Sequence, residues 1–209
     1  AYYFAVTDSE GESEIMWFKT APDTPTPFSF IGGGDSRTNT EPRQWGNQLV
    51  AKLRPLFIAF GGDYHDDCTN DEMRQWLDDW QMTISSDNRV YPILPAHGNH
   101  ENDMTEFVQL IFNMSNPDAY CATNVGGSMM RLYTLNSELE PGVGYSAFQD
   151  QDDAEWNDQA AWLASDMAAN PGYTWKVGQF HRPMRPHQSG KPEGIGRMDA
   201  WAQTMYDNG

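Results

Sequence analysis

Residues 56–66 read Leu-Phe-Ile-Ala-Phe-Gly-Gly-Asp-Tyr-His-Asp, so a short apolar run ends in two glycines and an acidic side chain. Two further apolar runs precede comparable blocks: residues 27–31 come before Gly34-Asp35-Ser36-Arg37, and residues 90–94 come before Gly98-Asn99-His100-Glu101. Short apolar runs bounded by Gly, Pro or Asp are typical of buried strands in a layered α/β fold. The sequence therefore predicts three buried strands, with Asp35, Asp63 and Asn99 at their carboxyl ends.

Two stretches between these strands have the features of helices. The first covers residues 41–53, and the second covers residues 71–83, where Met73, Trp76, Leu77 and Trp80 recur at helical spacing. The Trp and Met residues between positions 73 and 82 are predicted to be core residues. The order is strand, helix, strand, helix, strand, and open sheets of this kind place their chemistry beyond the carboxyl ends of the strands. We therefore expect the three polar blocks to meet at one edge of a sheet.

A fourth block supplies an imidazole. Residues 175–180 alternate as a strand does and run directly into His181. The histidines of the chain all lie in or beside one of the four blocks, at positions 65, 97, 100, 181 and 187. Two carboxylates, one amide and one imidazole suit Zn, Fe, Mn or Mg. Two such cations, roughly 3.5–4 Å apart, can turn a bridging water into hydroxide and hold a phosphate ester for in-line attack.

The series Gly-Asp, Gly-Asp, Gly-Asn-His-Glu and a histidine at a strand end resembles the calcineurin-like metallophosphoesterase family, and most of all its purple acid phosphatase branch. Residues 132–138 resemble the strand that follows the Gly-Asn-His-Glu block in that branch, and residues 159–166 resemble its helix before the histidine strand. The resemblance covers most of the chain. It implies an α/β fold of the metallophosphoesterase type, which is a four-layer αββα sandwich with mixed sheets.

The resemblance also implies a role for each residue of the site. Asp35 is a ligand of the first of two metal ions, and Asp63 bridges both ions. Asn99 and His181 are ligands of the second ion, and the metals are Fe, Zn or Mn. His100 lies beside the phosphoryl group, as proton donor to the leaving oxygen or as a stabiliser of developing charge.

Several positions depart from the family pattern. Position 37 is Arg where many members have a histidine ligand, and position 66 is Asp where purple acid phosphatases have a tyrosine. Asp66 or His65 is then the further ligand of the first metal. We expect Arg37, Arg182 and His187 to contact substrate, with a solvated surface position as the alternative for Arg182.

Glu101 follows His100 directly, and we expect its carboxylate to orient the His100 imidazole. The family completes its site with a Gly-His-x-His block. The resemblance places that block beyond residue 209. We expect the C-terminal part of the catalytic domain to follow there.

The first part of the chain is predicted to belong to a different unit. Residues 1–6 and 14–20 alternate as two strands around an Asp-Ser-Glu-Gly turn. They resemble the last hairpin of the fibronectin type III-like domain, a β-sandwich, that precedes the catalytic domain in purple acid phosphatases. We therefore predict the end of a β-sandwich domain at 1–20, a linker at 21–27 and a metallophosphoesterase catalytic domain at 28–209.

Charge and hydropathy exclude two kinds of partner. The chain has 209 residues with 30 acidic and 13 basic side chains, a net charge of −17. Proteins that follow a nucleic-acid backbone normally carry a basic stripe, so nucleic acid is excluded as the main partner, and no apolar run is long enough to cross a membrane. The acidic composition and the resemblance together favour a secreted, periplasmic or cell-surface location. Pairing of Cys68 with Cys121 stays open.

The sequence as a whole predicts a metal-dependent phosphoester hydrolase, most similar to an acid phosphatase that cleaves phosphomonoesters with a hydroxide bridging two metal ions. Two alternatives stay open. A phosphodiesterase or nucleotidase would use the same fold on a different ester. A non-catalytic structural or adhesive extracellular protein would keep the fold without a complete metal site. The sequence leaves the oligomeric state open.

Overall fold

The computed structural model describes residues 1–104, 111–114, 119–138, 154–183 and 195–208, so the predicted substrate contact His187 lies outside the described residues. The described strands are β1 (Tyr2–Phe4), β2 (Thr7–Asp8), β3 (Gly11–Glu12), β4 (Met16–Phe18), β5 (Ile31–Gly33), β6 (Ile58–Phe60), β7 (Ile93–Pro95), β8 (Cys121–Val125), β9 (Met130–Thr134) and β10 (Trp175–Gln179). The described helices are α1 (Thr40–Leu53), α2 (Asn70–Trp80), α3 (Ala154–Ala169) and α4 (Ile195–Asn208), with 3-10 turns at Gln81–Thr83 and Asn99–Met104.

The first sheet has the order β5-β6-β7 with parallel pairing throughout, so the ends of its three strands lie side by side. The strand expected at 27–31 lies further along the chain, at Ile31–Gly33. Glycine runs are usually strand breakers, but here the backbone of Gly32 and Gly33 continues the ladder opposite Ala59 and Phe60. All three predicted strand ends therefore meet at one carboxyl edge, as the sequence indicates.

Helices α1 and α2 cover one face of this sheet. Thr69 caps α2 in a capping box with Glu72, in which each side chain bonds to the backbone N–H of the other residue. The shared core joins both helices to the sheet and contains the buried residues Val50, Ile58, Phe60, Tyr64, Cys68, Met73, Trp76 and Tyr91. The prediction of core positions at Met73 and Trp76 is confirmed, because both side chains are fully buried, and Trp80 is partly buried against them. The same prediction is wrong for Met82, which is exposed.

The second sheet has the order β10-β9-β8 and mixes both kinds of pairing. β10 runs parallel to β9, and β8 runs antiparallel to it. Its core with α3 and α4 contains the buried residues Tyr133, Leu135, Leu163, Met167 and Trp201. Arg131 of β9 also binds Asp166 of α3 through two parallel contacts of 2.7 and 2.6 Å. A bidentate ion pair of this kind fixes the helix against the strand.

A third core cluster joins the two sheets. It combines Phe57 and Ala59, next to and within β6, with Val125, Met130 and Leu132 of the second sheet. Side chains alternate along β6, because Ile58 and Phe60 instead belong to the core with the helices. The protein is therefore a mixed α/β molecule in which both faces of β6 are buried.

The N-terminal strands contact residues 87–90, which lie just before β7. β1 and β4 pair antiparallel, as the sequence predicts, and the Trp17 backbone bonds to Asn88 and Val90. The Trp17 indole donates to the Asp87 carbonyl at 2.9 Å and stacks under the Arg89 guanidinium. Among the described residues, the longest apolar helical stretches still fall short of what a membrane span requires.

Candidate functional site

Asp63 is the centre of the candidate site. It follows β6, is fully buried, and has a left-handed backbone with φ of 54°. Its Oδ1 accepts the backbone N–H of His100 at 3.0 Å and lies 3.3 Å from Nε2 of His181, while its Oδ2 lies 3.0 Å from Nη2 of Arg37. Three segments distant in sequence thus converge on one carboxylate.

Glycines let the loops at the strand ends approach one another at backbone distance. A Cβ on Gly62 would lie 2.5 Å from the backbone nitrogen of Gly98, and one on Gly34 would lie 2.8 Å from that of Gly61. Gly62 also has φ of 86°, a conformation that other residues rarely adopt. The glycines before each block therefore serve the site directly, and the sequence signal for them is the repeated Gly-Asp and Gly-Asn pairs.

Glu101 ties two of these loops together. Its carboxylate accepts the backbone N–H groups of Asp63 at 2.9 Å, Tyr64 at 2.8 Å and Gly98 at 2.6 Å. Burial raises the pKa of Glu101, and the two N–H groups of Asp63 and Tyr64 oppose that rise. The expectation that Glu101 orients His100 is wrong, because its oxygens are directed at the backbone that carries Asp63.

His181 presents one ring nitrogen to the site. Its Nδ1 lies 2.9 Å from the carbonyl oxygen of Gly61, which can only accept, so Nδ1 carries a hydrogen. Its Nε2 then faces two oxygens, Asn99 Oδ1 at 3.2 Å and Asp63 Oδ1 at 3.3 Å. A nitrogen in that position needs either a second proton or a cation shared with the oxygens. Metal-bound histidines typically have this arrangement, with the far N–H on a carbonyl.

The charges at Asp63 and His181 stabilise each other. Burial by itself raises the pKa of Asp63, but the hydrogen bond and charge of His181 and the backbone N–H of His100 lower it to about 2. Burial lowers the pKa of His181, yet its bond to Asp63 raises it above the ordinary value. Asp63 is therefore ionised throughout the physiological pH range and available to a cation.

His100 lies at the mouth of the site. Its Nδ1 contacts the backbone carbonyl of Asp66, so this nitrogen is the one that donates. Its Nε2 lies 3.8 Å from Asp63 Oδ2, and the side chain is about one quarter exposed, at 26%. Nε2 is therefore the nitrogen that can exchange a proton with a bound molecule.

Arg37 lies between two carboxylates. Its Nε is 2.6 Å from Asp35 Oδ1 and 3.1 Å from Asp63 Oδ2. Burial lowers the pKa of Arg37, but the charges of Asp35 and Asp63 raise it above the ordinary value. The predicted first-metal ligand Asp35 thus has a guanidinium as its described partner.

The two alternative ligands for the first metal have other partners. The His65 ring is buried with its Nδ1 at 2.8 Å from Glu72 Oε1. The Asp66 carboxylate accepts the hydroxyl of Thr38 at 3.0 Å. Neither of these two contacts involves Asp35 or Asp63.

The alternative of a solvated surface position for Arg182 is wrong. Its side chain is buried, and its Nε contacts Glu138 Oε1. The Glu138 carboxylate loses solvent at the same place, and burial raises its pKa. Sequence reasoning missed Glu138, which follows a strand without any motif that would mark it. Arg182 still borders the cleft described next, so its predicted contact with substrate stays a prediction.

A cleft with a volume of about 840 Å³ opens over these residues. Its polar wall contains Asp35, Arg37, Asn99, His100 and His181, and its apolar wall includes Phe30, Leu132 and Val177. Such a volume is typical of small-molecule sites. The structure therefore brings most of the predicted site residues to one accessible cavity.

The donor set fits one cation position. Within the described ranges, no group of three or more His, Cys, Asp or Glu side chains is arranged to hold a metal ion. The set at Asp63 has two such side chains, Asp63 and His181, and its third donor is the amide oxygen of Asn99. Ligand atoms that each lie about 2.0–2.2 Å from a shared metal are roughly 3 Å apart, close to the distances described above.

The two cysteines are both free, so the possible pairing of Cys68 with Cys121 is not formed. The thiol of Cys68 is buried and lies 3.2 Å from Glu101 Oε1. Burial raises the pKa of this thiol, and the Glu101 charge adds to the rise. Cys68 therefore acts as a packed neutral group behind the site.

No protein-family model matches the chain. Two uncharacterized proteins of Mycobacterium tuberculosis, from strain CDC 1551 / Oshkosh and strain ATCC 25618 / H37Rv, are each 27% identical to it over 120 residues. Each alignment covers 49% of this chain, and the chain spans 22% of the length of those relatives. Their descriptions record no activity.

Proposed function

We propose that this chain is a metal-dependent phosphoester hydrolase of the calcineurin-like metallophosphoesterase family, in its purple acid phosphatase branch. The observation that carries the proposal is the position of His181 Nε2, which lies 3.2 Å from Asn99 Oδ1 and 3.3 Å from the ionised, buried carboxylate of Asp63. These three donors come from three strand ends in the order that the family motif predicts. Their mutual spacing suits a shared cation.

The core clusters support the proposed fold. One cluster joins α1 and α2 to the first sheet, another joins the two sheets, and another joins the second sheet to α3 and α4. We propose that these four groups of elements form the αββα sandwich of the family. The fibronectin type III-like hairpin at 1–20 and the linker at 21–27 remain predictions.

Asp63, Asn99 and His181 would hold one metal ion, and Asp35, with Asp66 or His65, is the predicted ligand set of a second. When bound, such a cation supplies Lewis acidity toward a phosphoryl oxygen and lowers the pKa of water, and Fe, Zn or Mn would suit these donors. The chain fixes the orientation of His181 through the Gly61 carbonyl. It keeps Asp63 ionised in spite of its burial, through the hydrogen bond and charge of His181 and the backbone N–H of His100.

His100 would protonate the leaving group. Its Nδ1 is engaged by the Asp66 carbonyl, so a proton on Nε2 can pass to the ester oxygen as the phosphorus–oxygen bond breaks. The attacking water supplies the new oxygen on phosphorus and releases one proton to solvent, which balances the proton that His100 gives to the leaving group. Arg37 and Arg182 border the same cleft and are the predicted contacts of the phosphoryl oxygens.

A phosphomonoester is the proposed substrate, and an exported or cell-surface location is proposed from the resemblance and the acidic composition. The net charge of −17 repels anionic substrates at long range. Capture therefore depends on positive groups at the bottom of the cleft. The same charge argues against nucleic acid as the main partner.

We expect the full chain, reconstituted with Zn, Mn or Fe, to hydrolyse an aryl phosphomonoester. Asp63→Asn should lose bound metal and lower kcat by more than about 100-fold, because it removes the central ligand charge. His100→Ala should keep its metal and lose kcat, because it removes only the proton donor. Elemental mass spectrometry and a chromogenic assay measure both effects.

The exposed pair of Asp71 and Arg74 offers a matched control, and Asp71→Asn should behave as wild type. A faster reaction with an aryl phosphodiester than with the monoester would favour the phosphodiesterase alternative. Absence of both metal binding and hydrolysis after reconstitution would contradict the proposal and favour the non-catalytic alternative.

A further inference from the structure

We propose that the Arg37 guanidinium is a built-in cation between Asp35 and Asp63, in the place of the first of the two metal ions that the family resemblance implies. The chain then binds a single metal ion, at Asp63, Asn99 and His181. This inference rests on the proposed function, because it concerns the cation content of the same site.

The first argument is the geometry of the guanidinium. Arg37 Nε contacts Asp35 Oδ1 at 2.6 Å and Asp63 Oδ2 at 3.1 Å, and Nη2 contacts the same Asp63 oxygen at 3.0 Å. A metal ion shared by these carboxylates would need to lie about 2.0–2.2 Å from an oxygen of each. That space lies where the guanidinium is already placed. Arginine also keeps its charge at all physiological pH values.

The second argument is that the backbone holds Arg37 over Asp63. The N–H groups of Ser36 and Arg37 both donate to the Asp63 carbonyl, at 3.0 and 3.3 Å, and Asp35 N–H donates to Gly62 at 2.8 Å. These bonds fix the point from which the Arg37 side chain leaves the loop. The loop therefore holds the Arg37 backbone beside Asp63, within reach of its carboxylate.

Backbone conformation supports the same conclusion. Asp35, Arg37 and Asp63 all have left-handed φ angles, of 55°, 37° and 54°. Residues other than glycine adopt this region at a cost, and such residues cluster where a site needs particular side-chain directions. The Arg37 carbonyl is in turn contacted by Arg43, whose guanidinium is buried in an ion pair with Asp79. The buried Arg43 therefore also helps to hold the turn that carries Arg37.

The third argument is the contrast with the other half of the site. On the side of Asn99, the group that faces Asp63 is the Nε2 atom of His181. With its only hydrogen on Nδ1, this imidazole is a neutral ligand. The nearby guanidinium of Arg182 is directed to Glu138. Among the described residues, a permanent positive side chain therefore lies on the Asp35 side of Asp63, and the Asn99 side is left for a metal.

The test counts metal ions without using activity. The full chain is loaded with excess Mn(II), freed of weakly bound metal, and analysed by elemental mass spectrometry and electron paramagnetic resonance. We expect one Mn per wild-type chain, with the spectrum of an isolated ion. Arg37→His and Arg37→Gln should each raise the count to two, with a spin-coupled spectrum for the histidine variant. Arg37→Lys, which keeps the charge, should stay at one.

The exposed Arg74→Gln variant is the matched control and should retain one ion. Two ions in the wild-type chain would overturn this inference and leave the proposed function intact, and this arm requires no variant to fold. A count of one in every folded Arg37 variant would also overturn it. Absence of metal from every form, including wild type, would overturn both this inference and the proposed function.

Discussion

The Glu101 carboxylate illustrates how a single buried charge organises the site. It receives backbone N–H groups from the loop after β6 and from the loop after β7, in addition to the thiol of Cys68. Hydrogen bonds to an ionised acceptor are stronger than neutral ones. The position of Asp63 therefore depends on Glu101, although Glu101 does not itself face the cleft.

Glu101→Gln should lower the free energy of unfolding by about 3 kcal/mol. The amide NH₂ group would face a backbone N–H that needs an acceptor, and the lost charge weakens the remaining bonds. Urea denaturation measures the change, and Glu41→Gln, at an exposed position of α1, provides the matched control. A loss smaller than about 0.5 kcal/mol would show that Glu101 does not hold the loops together.

At the scale of secondary-structure elements, the site depends on how closely the strand ends approach. β5, β6 and β7 are short, and each is followed by a glycine-containing turn that bonds to its neighbour through the backbone. The Ala96 N–H, for example, donates to the Phe60 carbonyl at 2.7 Å. Side chains on these turns can then meet at one point because nothing larger than hydrogen separates the turns.

Gly62→Ala should destabilise the protein by more than about 3 kcal/mol, because the new Cβ would clash with Gly98 and the φ of 86° is unfavourable for alanine. Gly46→Ala is the matched control. Gly46 is exposed in the middle of α1, where a Cβ meets nothing within 4 Å. It should stabilise by about 0.5–1 kcal/mol. Thermal unfolding compares the two, and equal signs would contradict the proposed role of Gly62.

At the scale of the whole molecule, charge is the dominant property. The net charge of −17 arises from more than twice as many acidic as basic residues. Several of the basic residues are used internally, including Arg37, Arg43, Arg131 and Arg182, each paired with a carboxylate. Their positive charge is neutralised within these pairs. The acidic side chains on the rest of the surface therefore repel one another and other anions.

Added NaCl should therefore stabilise the protein at neutral pH. Raising it from about 10 mM to about 1 M shortens the screening length from about 30 Å to about 3 Å and reduces the self-repulsion. We expect a higher Tm by a few degrees, roughly 1 kcal/mol. Near the isoelectric point of 4.4, the same addition should have little effect. Equal stabilisation at both pH values would indicate that net charge is not the cause.

The sequence by itself determined which segments become elements and in what order the polar blocks occur. The helices at residues 41–53 and 71–83, the strand at 175–180 and the core positions Met73 and Trp76 all follow from local periodicity. The sequence also predicts that the polar residues at the strand ends lie close together, because parallel strands bring their carboxyl ends to one edge of the sheet. These features depend on residues close together in the chain, and a pattern of a few residues is enough to specify them.

The tertiary structure alone decided the partners of the charged groups. The bonds of Glu101 to the Asp63 loop, of Arg37 to Asp63 and of Arg182 to Glu138 join residues 26 to 44 positions apart. The strand of Gly32 and Gly33 depends likewise on its neighbour β6. Electrostatic and backbone pairing act through space, so the local sequence can indicate that a charge is present but not which group it will meet.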